Sequence, residues 1–117
     1  MELNLKLLLD GTLKMKIKDL NNEYQVLTTF DNDTEINNLY CGDLLSFVVS
    51  HAKPGDFLLT ITNNMNTIAV GVLVELAGII FCEGVLPTQE MINKANDENI
   101  VIITTLKTKV EVIKELG

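Results

Sequence analysis

The sequence has no arginine and no tryptophan, one histidine, two cysteines and two prolines. Each scarcity removes a class of chemistry. All nine basic residues are lysines, so no planar guanidinium is present to grip a carboxylate or phosphate with two parallel bonds. Positive charge is also outnumbered. Sixteen Asp and Glu against nine Lys give a formal net charge of −7. That balance argues against nucleic acid, whose binding rests on clustered cations over phosphates, and against an anionic membrane surface. Cys41 and Cys82 are too few for a disulfide framework. With a single His they lack metal-ligand spacing, so neither metal nor cofactor is expected. Long hydrophobic runs are missing too. Ile68 to Cys82 is the longest, and it contains Glu75 and two glycines. It falls short of the roughly 20 residues of a membrane helix. Leu3–Leu9 is short and interrupted by Asn4 and Lys6, and Met1-Glu2 is not the basic start of a secretion signal. The expectation is a cytoplasmic protein without membrane contact.

What is present is apolar material: 47% of 117 residues, enough for one domain, residues 1–117, with a core of its own. Leu3, Leu5, Leu7 and Leu9 alternate with other residues, and the alternation resumes after Asp10-Gly11 with Leu13, Met15 and Ile17. Period-two patterning around Asp-Gly predicts a β-hairpin; a helical reading of Glu2–Leu9 stays open, because Leu and Lys also favour helices. The polar, Asn-rich stretch Asp19–Asn38 holds one predicted strand, Gln25–Phe30. Clearer units follow. A helix is predicted over Asp43–His51 with Asp43 at its N-cap, then a Lys53-Pro54-Gly55-Asp56 turn and a strand over Phe57–Thr62. After the polar loop Asn63–Asn66 comes a helix, Thr67–Ala77, capped by Asn66 or Thr67. A strand over Gly78–Cys82 leads to Pro87 and a helix over Thr88–Ala95, with Glu90 in its first turn. A strand over Ile100–Thr104 and a helix over Thr108–Leu116, with Lys114 near its negative end, complete the chain. Unbroken apolar strands alternating with helices read as a parallel sheet covered on both sides. The predicted class is α/β: a mostly parallel sheet of about four strands, helices on both faces, and an N-terminal β-hairpin extension.

Two of these helices carry little polar surface. On Asp43–His51 only Asp43, Ser46 and Ser50 form a polar strip. On Thr67–Ala77 it is Thr67, Gly71 and Glu75. A helix apolar nearly all round is buried on more than one side. Either both helices are central in the monomer, or a second copy covers them in a two-fold dimer. The second option is the expectation, with Phe47, Val48, Val70, Val72 and Leu73 at the interface.

No catalytic constellation is legible. Cys41 precedes a helix N-terminus, which lowers a thiol pKa. His51, however, is ten residues away along about one helix. At ~1.5 Å per residue that is roughly 12–15 Å, against the ~3 Å a nucleophile–base pair needs. His51 fits better as a complement to the helix C-terminus. Cys41 and Cys82 could form a redox pair or half a metal site, or be ordinary inert thiols. The better candidate is a small-molecule crevice outside the carboxyl ends of the strands, with Asn63, Asn64 and Asn66 after one strand, Glu83 and Gly84 after the next, and Thr104 and Thr105 after the last. Asn side chains and the amides of Asn66–Ile68 are suited to an anion or a nucleobase edge. Tyr40 is suited to stack on a base, and Asp43 completes the set. The alternative for Asn63–Asn66 is a solvated loop with a cap.

The order and spacing of several segments resemble a DRTGG domain. They are Met15-Lys16-Ile17-Lys18-Asp19-Leu20, Tyr40-Cys41-Gly42-Asp43-Leu44-Leu45-Ser46, and His51-Ala52-Lys53-Pro54-Gly55-Asp56. The apolar strand, polar loop and apolar helix follow in the family's order, as does Glu83-Gly84-Val85-Leu86-Pro87. The resemblance runs from Met15 to the C-terminus and leaves residues 1–14 outside it. The naming motif is degenerate: Glu35-Ile36-Asn37-Asn38-Leu39-Tyr40 stands where a Thr-Gly-Gly-Tyr run belongs. Where such glycines let a backbone approach a ligand, this chain lacks that contact. The resemblance implies an α/β fold, pairing as dimers, and company with the nucleotide-sensing CBS domains of some pyrophosphatases; it supplies no catalytic residues. The function it suggests is a non-enzymatic, homodimeric regulatory or interaction module, with a partner protein or a small metabolite such as an adenine nucleotide as its ligand. The alternatives are a small redox or thiol-dependent enzyme using Cys41, and a scaffolding subunit of a larger enzyme complex.

Overall fold

The computed structural model describes residues 14–117. The hairpin expected around Asp10-Gly11 therefore lies outside the described residues, except for the end of its second arm. There Lys16 bridges Glu35 in antiparallel fashion, and Ile17–Asp19 turns into a short 3-10 helix.

Among the described residues the sheet has five strands, where about four were expected. They are β1 (Tyr24–Val26), β2 (Leu39–Cys41), β3 (Phe57–Thr60), β4 (Gly78–Phe81) and β5 (Val101–Thr105), in the spatial order β1-β5-β4-β3-β2. The strand missed in the sequence is β2, three residues at the sheet edge. β2 through β5 run parallel, and β1 joins β5 antiparallel. Helices α1 (Leu45–His51), α2 (Met65–Val74) and α3 (Gln89–Asp97) connect the parallel strands, and α4 (Lys109–Leu116) follows β5.

This order dictates the layers. Each crossover steps one strand along in the same direction, and a uniform hand of crossover puts all three connecting helices on one face. Residue alternation then splits the core in two. Leu58, Ile79, Phe81 and Ile102 pack with Val48 of α1, Ile68 of α2 and Met91 and Ala95 of α3. Phe57, Leu59, Ile80 and Ile103 face the other way and pack with Val112 of α4, Ile17 and Ile36. β3, β4 and β5 are buried at every position, which is why they read as unbroken apolar runs.

The helix ends depart from the expected boundaries in physically readable ways. α2 begins at Met65, capped by Asn64, whose side chain accepts from the Asn66 amide. It stops at Val74 because Glu75 adopts a left-handed conformation, φ 61°. Thr88 caps α3 through the Met91 amide, and Thr108 with Glu111 forms a full capping box on α4. Asp43 is not a cap; Leu44 stands at that position without a side-chain bond. The Lys53–Asp56 turn is as expected, with Gly55 at φ 86°. Its Asp56 is buried and accepts from Asn38 Nδ2 and from the Lys53 amide, both at 2.9 Å. That carboxylate ties the start of β3 to the approach of β2. Among the described residues no helix is long and apolar enough to cross a membrane.

Gly78 makes room for a neighbour: it lies across from Phe57, and a Cβ there would sit 2.2 Å from the fully buried Phe57 ring. Gly78→Ala should lower stability by about 1–3 kcal/mol, the scale of core overpacking. The check is a lower urea midpoint with an unchanged slope.

Candidate functional site

The carboxyl ends of β2, β3, β4 and β5 converge on one edge of the sheet, where open α/β sheets place ligands. Two polar clusters organise that edge.

The first centres on Asp43, just after β2. Its Oδ1 accepts from Thr60 Oγ1 and from the Ile61 amide, both at 2.8 Å, and its carbonyl oxygen accepts from Thr62 Oγ1 at 2.9 Å. Its other carboxylate oxygen accepts from the Lys109 ammonium, at the first residue of α4. One side chain thus ties the exit of β2, the exit of β3 and the start of α4. Burial works against the Asp43 charge. The Lys109 hydrogen bond, the Ile61 amide and the Thr60 hydroxyl outweigh it, and the carboxyl is held below its ordinary value. Burial also opposes the charged Lys109, but the hydrogen bond and charge of Asp43 raise that ammonium above its ordinary value.

The second cluster lies beyond β5. The Lys107 ammonium sits 3.2 Å from Glu23 and 3.1 Å from Glu115, and the Tyr24 hydroxyl donates to Glu115. Hydrogen bonds to Glu115 and Glu23 raise the Lys107 ammonium above its usual value. The bond from Tyr24, followed by Lys107, lowers the Glu115 carboxyl. Beside this cluster opens a cleft of about 480 Å³, whose walls include Gln25, Gly84, Leu86, Thr104, Leu106 and Lys107. Gly84 lines it, and Glu83, expected at the same place, precedes it in the turn without lining the cleft. Both have positive φ, 58° and 76°, and their amides donate to the carbonyls of Lys107 and Thr105.

The residues singled out in the sequence distribute themselves as follows. Gly84, Thr104 and Thr105 meet in the cleft. Asp43 reaches the same edge, but its carboxylate is committed to Lys109 and β3. Asn63 donates to the Leu86 carbonyl at 2.9 Å and so braces the loop between β4 and α3. Asn64 is occupied as a cap, and Asn66 lies instead beside a groove between α1 and α2. Tyr40 is half-buried against the core under α1–α3, with its ring over Gly42. Sequence reasoning did not find Lys107, Lys109, Glu23 or Glu115. Lysines after a strand and acids on a helix carry no pattern that separates them from solvated charges.

His51 ends α1, as expected, with Nδ1 2.9 Å from the Phe47 carbonyl oxygen. The two thiols are free. They sit on β2 and at the end of β4, two strands apart. At about 4.8 Å per strand that separation exceeds the roughly 7 Å Cα limit of a disulfide, so the redox pair considered above does not form in this fold. Burial pushes the Cys82 thiol up to about 11; Lys109 opposes the rise, and Cys41, Glu83 and Asp43 add to it.

The outer surface of α1 and α2 is apolar. Phe47 is 58% exposed and Leu73 70%, with Leu44, Val49, Met65 and Val72 also open. Val70 lines the shallow groove of about 390 Å³ between the helices. Val48, expected on this surface, is fully buried inside the chain's own core, because it points at the sheet.

No family model and no curated protein matches the sequence. A solved structure shares the fold. It is the crystal structure of the CBS and DRTGG domains of the regulatory region of Clostridium perfringens pyrophosphatase, complexed with its activator diadenosine tetraphosphate. The TM-score is 0.67 at 15% identity, and the match covers 78% of this chain and 40% of that one. The likeness establishes a related α/β fold, and the chain spans well under half of that regulatory region.

A carboxyl held below its unfolded value stabilises above that value and loses the contribution as pH falls through the folded one. Asp43→Asn should therefore cost about 1 kcal/mol at neutral pH, the screened scale of a partly exposed ion pair. The deficit should shrink as pH falls below about 3.9, as read by urea unfolding across the acid range. A deficit that persists in strong acid would mean that the charge is not what ties the edge. With iodoacetamide at about pH 8, where an ordinary thiol begins to ionise, mass spectrometry should find Cys41 modified in the folded protein and Cys82 only in denaturant.

Proposed function

We propose that this chain is a non-enzymatic regulatory module that works as a homodimer through α1 and α2 and responds to an adenine nucleotide. The observation that carries the reading is the shared fold with a regulatory region whose activator is diadenosine tetraphosphate. Two features of the chain support it. The charged groups at the sheet edge are held in mutual pairs, Asp43 with Lys109 and Lys107 with Glu23 and Glu115, an arrangement suited to holding shape. The outward apolar side chains of α1 and α2 form the kind of patch that marks an interface.

Thermal unfolding with and without a set of nucleotides tests the ligand. A nucleotide at about 100 times its dissociation constant adds about 2.7 kcal/mol, a rise on the order of 10 °C for a domain of this size. A flat response to every nucleotide contradicts the sensing role. Leu73→Lys tests the dimer. The side chain is largely exposed within one chain, and a cation suits the C-terminal turn of a helix, so the fold should persist while sedimentation reports a single chain. A dimer that survives this substitution contradicts the α1–α2 interface.

A further inference from the structure

We propose that the cleft at the carboxyl ends of β4 and β5 binds the uncharged, flat heteroaromatic end of a small molecule, a nucleobase or a group of the same chemistry. The proposal rests on the ligand-responsive reading above and gives it a location.

Thr104 carries the argument. It is 5% exposed and lines the cleft. Every fully enclosed side-chain nitrogen or oxygen among the described residues has a hydrogen-bond partner, yet the Thr104 hydroxyl has none there. It therefore keeps some open surface and is not an enclosed orphan. Its neighbour Thr105 is the contrast, since that hydroxyl donates to the Glu23 carbonyl at 2.9 Å and accepts from the Lys107 amide at 3.2 Å. A hydroxyl held at the cleft wall with no bond to the protein is available to a ligand. Directly across the strand pair from Thr104 stands Gln25, on the same face of the sheet, with its amide exposed. Together they offer donor and acceptor positions side by side, the set that reads the edge of a heterocycle.

The walls and the charge narrow the ligand class. Leu106 is 86% exposed and Leu86 61%, and both line the cleft. Leu106 lies against Gly84, where a Cβ would come within 3.3 Å of it. Uncovered aliphatic side chains beside polar edge-readers suit a ring whose faces are apolar and whose rim is polar. Among the described residues the cation at the cleft is Lys107, already shared by Glu23 and Glu115. A phosphate would have to displace those carboxylates, so the group seated here carries no charge.

The experiment is an amide NMR titration of the whole chain with four free nucleosides (adenosine, guanosine, cytidine and uridine), followed by ATP and diadenosine tetraphosphate. At least one nucleoside should shift the amides of Gly84, Thr104 and Leu106. Thr104→Val keeps the shape and removes the hydroxyl; it should weaken that binding about tenfold, the worth of one good hydrogen bond, while Thr104→Ser retains most of it. Both variants should unfold cooperatively near the parent midpoint, which separates a lost contact from a lost fold. A nucleoside other than adenosine acting alone would support the cleft and overturn the choice of adenine. Nucleotides that bind elsewhere, with Thr104→Val unaffected, would overturn the cleft and leave the regulatory reading standing. No shift with any compound would overturn the cleft and the nucleotide response together, with the dimer judged separately through Leu73→Lys.

Discussion

The structure depends on covering both faces of a parallel sheet. β3, β4 and β5 are buried along their whole length, and strands of that kind persist only when helices lie on each side. The chain meets this demand with few elements. Three crossovers of one hand fill one face, and α4 with Ile17 and Ile36 fills the other. Among the described residues no further layer lies over α1 and α2, and their outward residues Phe47 and Leu73 are open. The apolar surface that supports the proposed dimer is thus a consequence of how the sheet is covered.

The same economy shapes the functional edge. Parallel strands end together, so loops after β2, β3, β4 and β5 gather at one end and must be fixed there. Asp43 does this for β2, β3 and α4; Lys107 does it for β1, β5 and α4 through Glu23, Glu115 and Tyr24. Charge used in this way is partly exposed and contributes modestly to stability, but it sets geometry. Among the described residues it also leaves the adjoining cleft without an uncommitted cation, which is why the group proposed to sit there is neutral.

Much of this fold is legible in the sequence because burial on two faces writes itself as unbroken apolar runs: FLLT, GIIF and VIITT stand out without any alignment. The starts of the last two helices are legible to within a residue, but Thr88 and Thr108, read as their first helical residues, stand outside them as caps. β2 is not legible, since three residues, Leu39–Cys41, at a sheet edge carry too little pattern and are held by partners such as Asp56 and Leu59 that are distant in sequence. Asp43 misleads because an Asp before a helix normally caps it; here Thr60, Ile61 and Lys109 compete for the carboxylate and win. Val48 misleads because a helix with apolar residues nearly all round does not announce which of them faces the sheet. Of the candidate site, Gly84, Thr104 and Thr105 follow from the rule that ligands sit at strand ends. The lysines and glutamates that brace the edge follow only from the fold.

The measurement that tests the central claim most directly is the solution mass of the unaltered chain by light scattering over a concentration series. The account predicts twice the 13.0 kDa of one chain at micromolar concentration and above, because the outer surface of α1 and α2 then has its cover. A mass of one chain throughout the series would contradict it, and would mean that this apolar surface stands open to water.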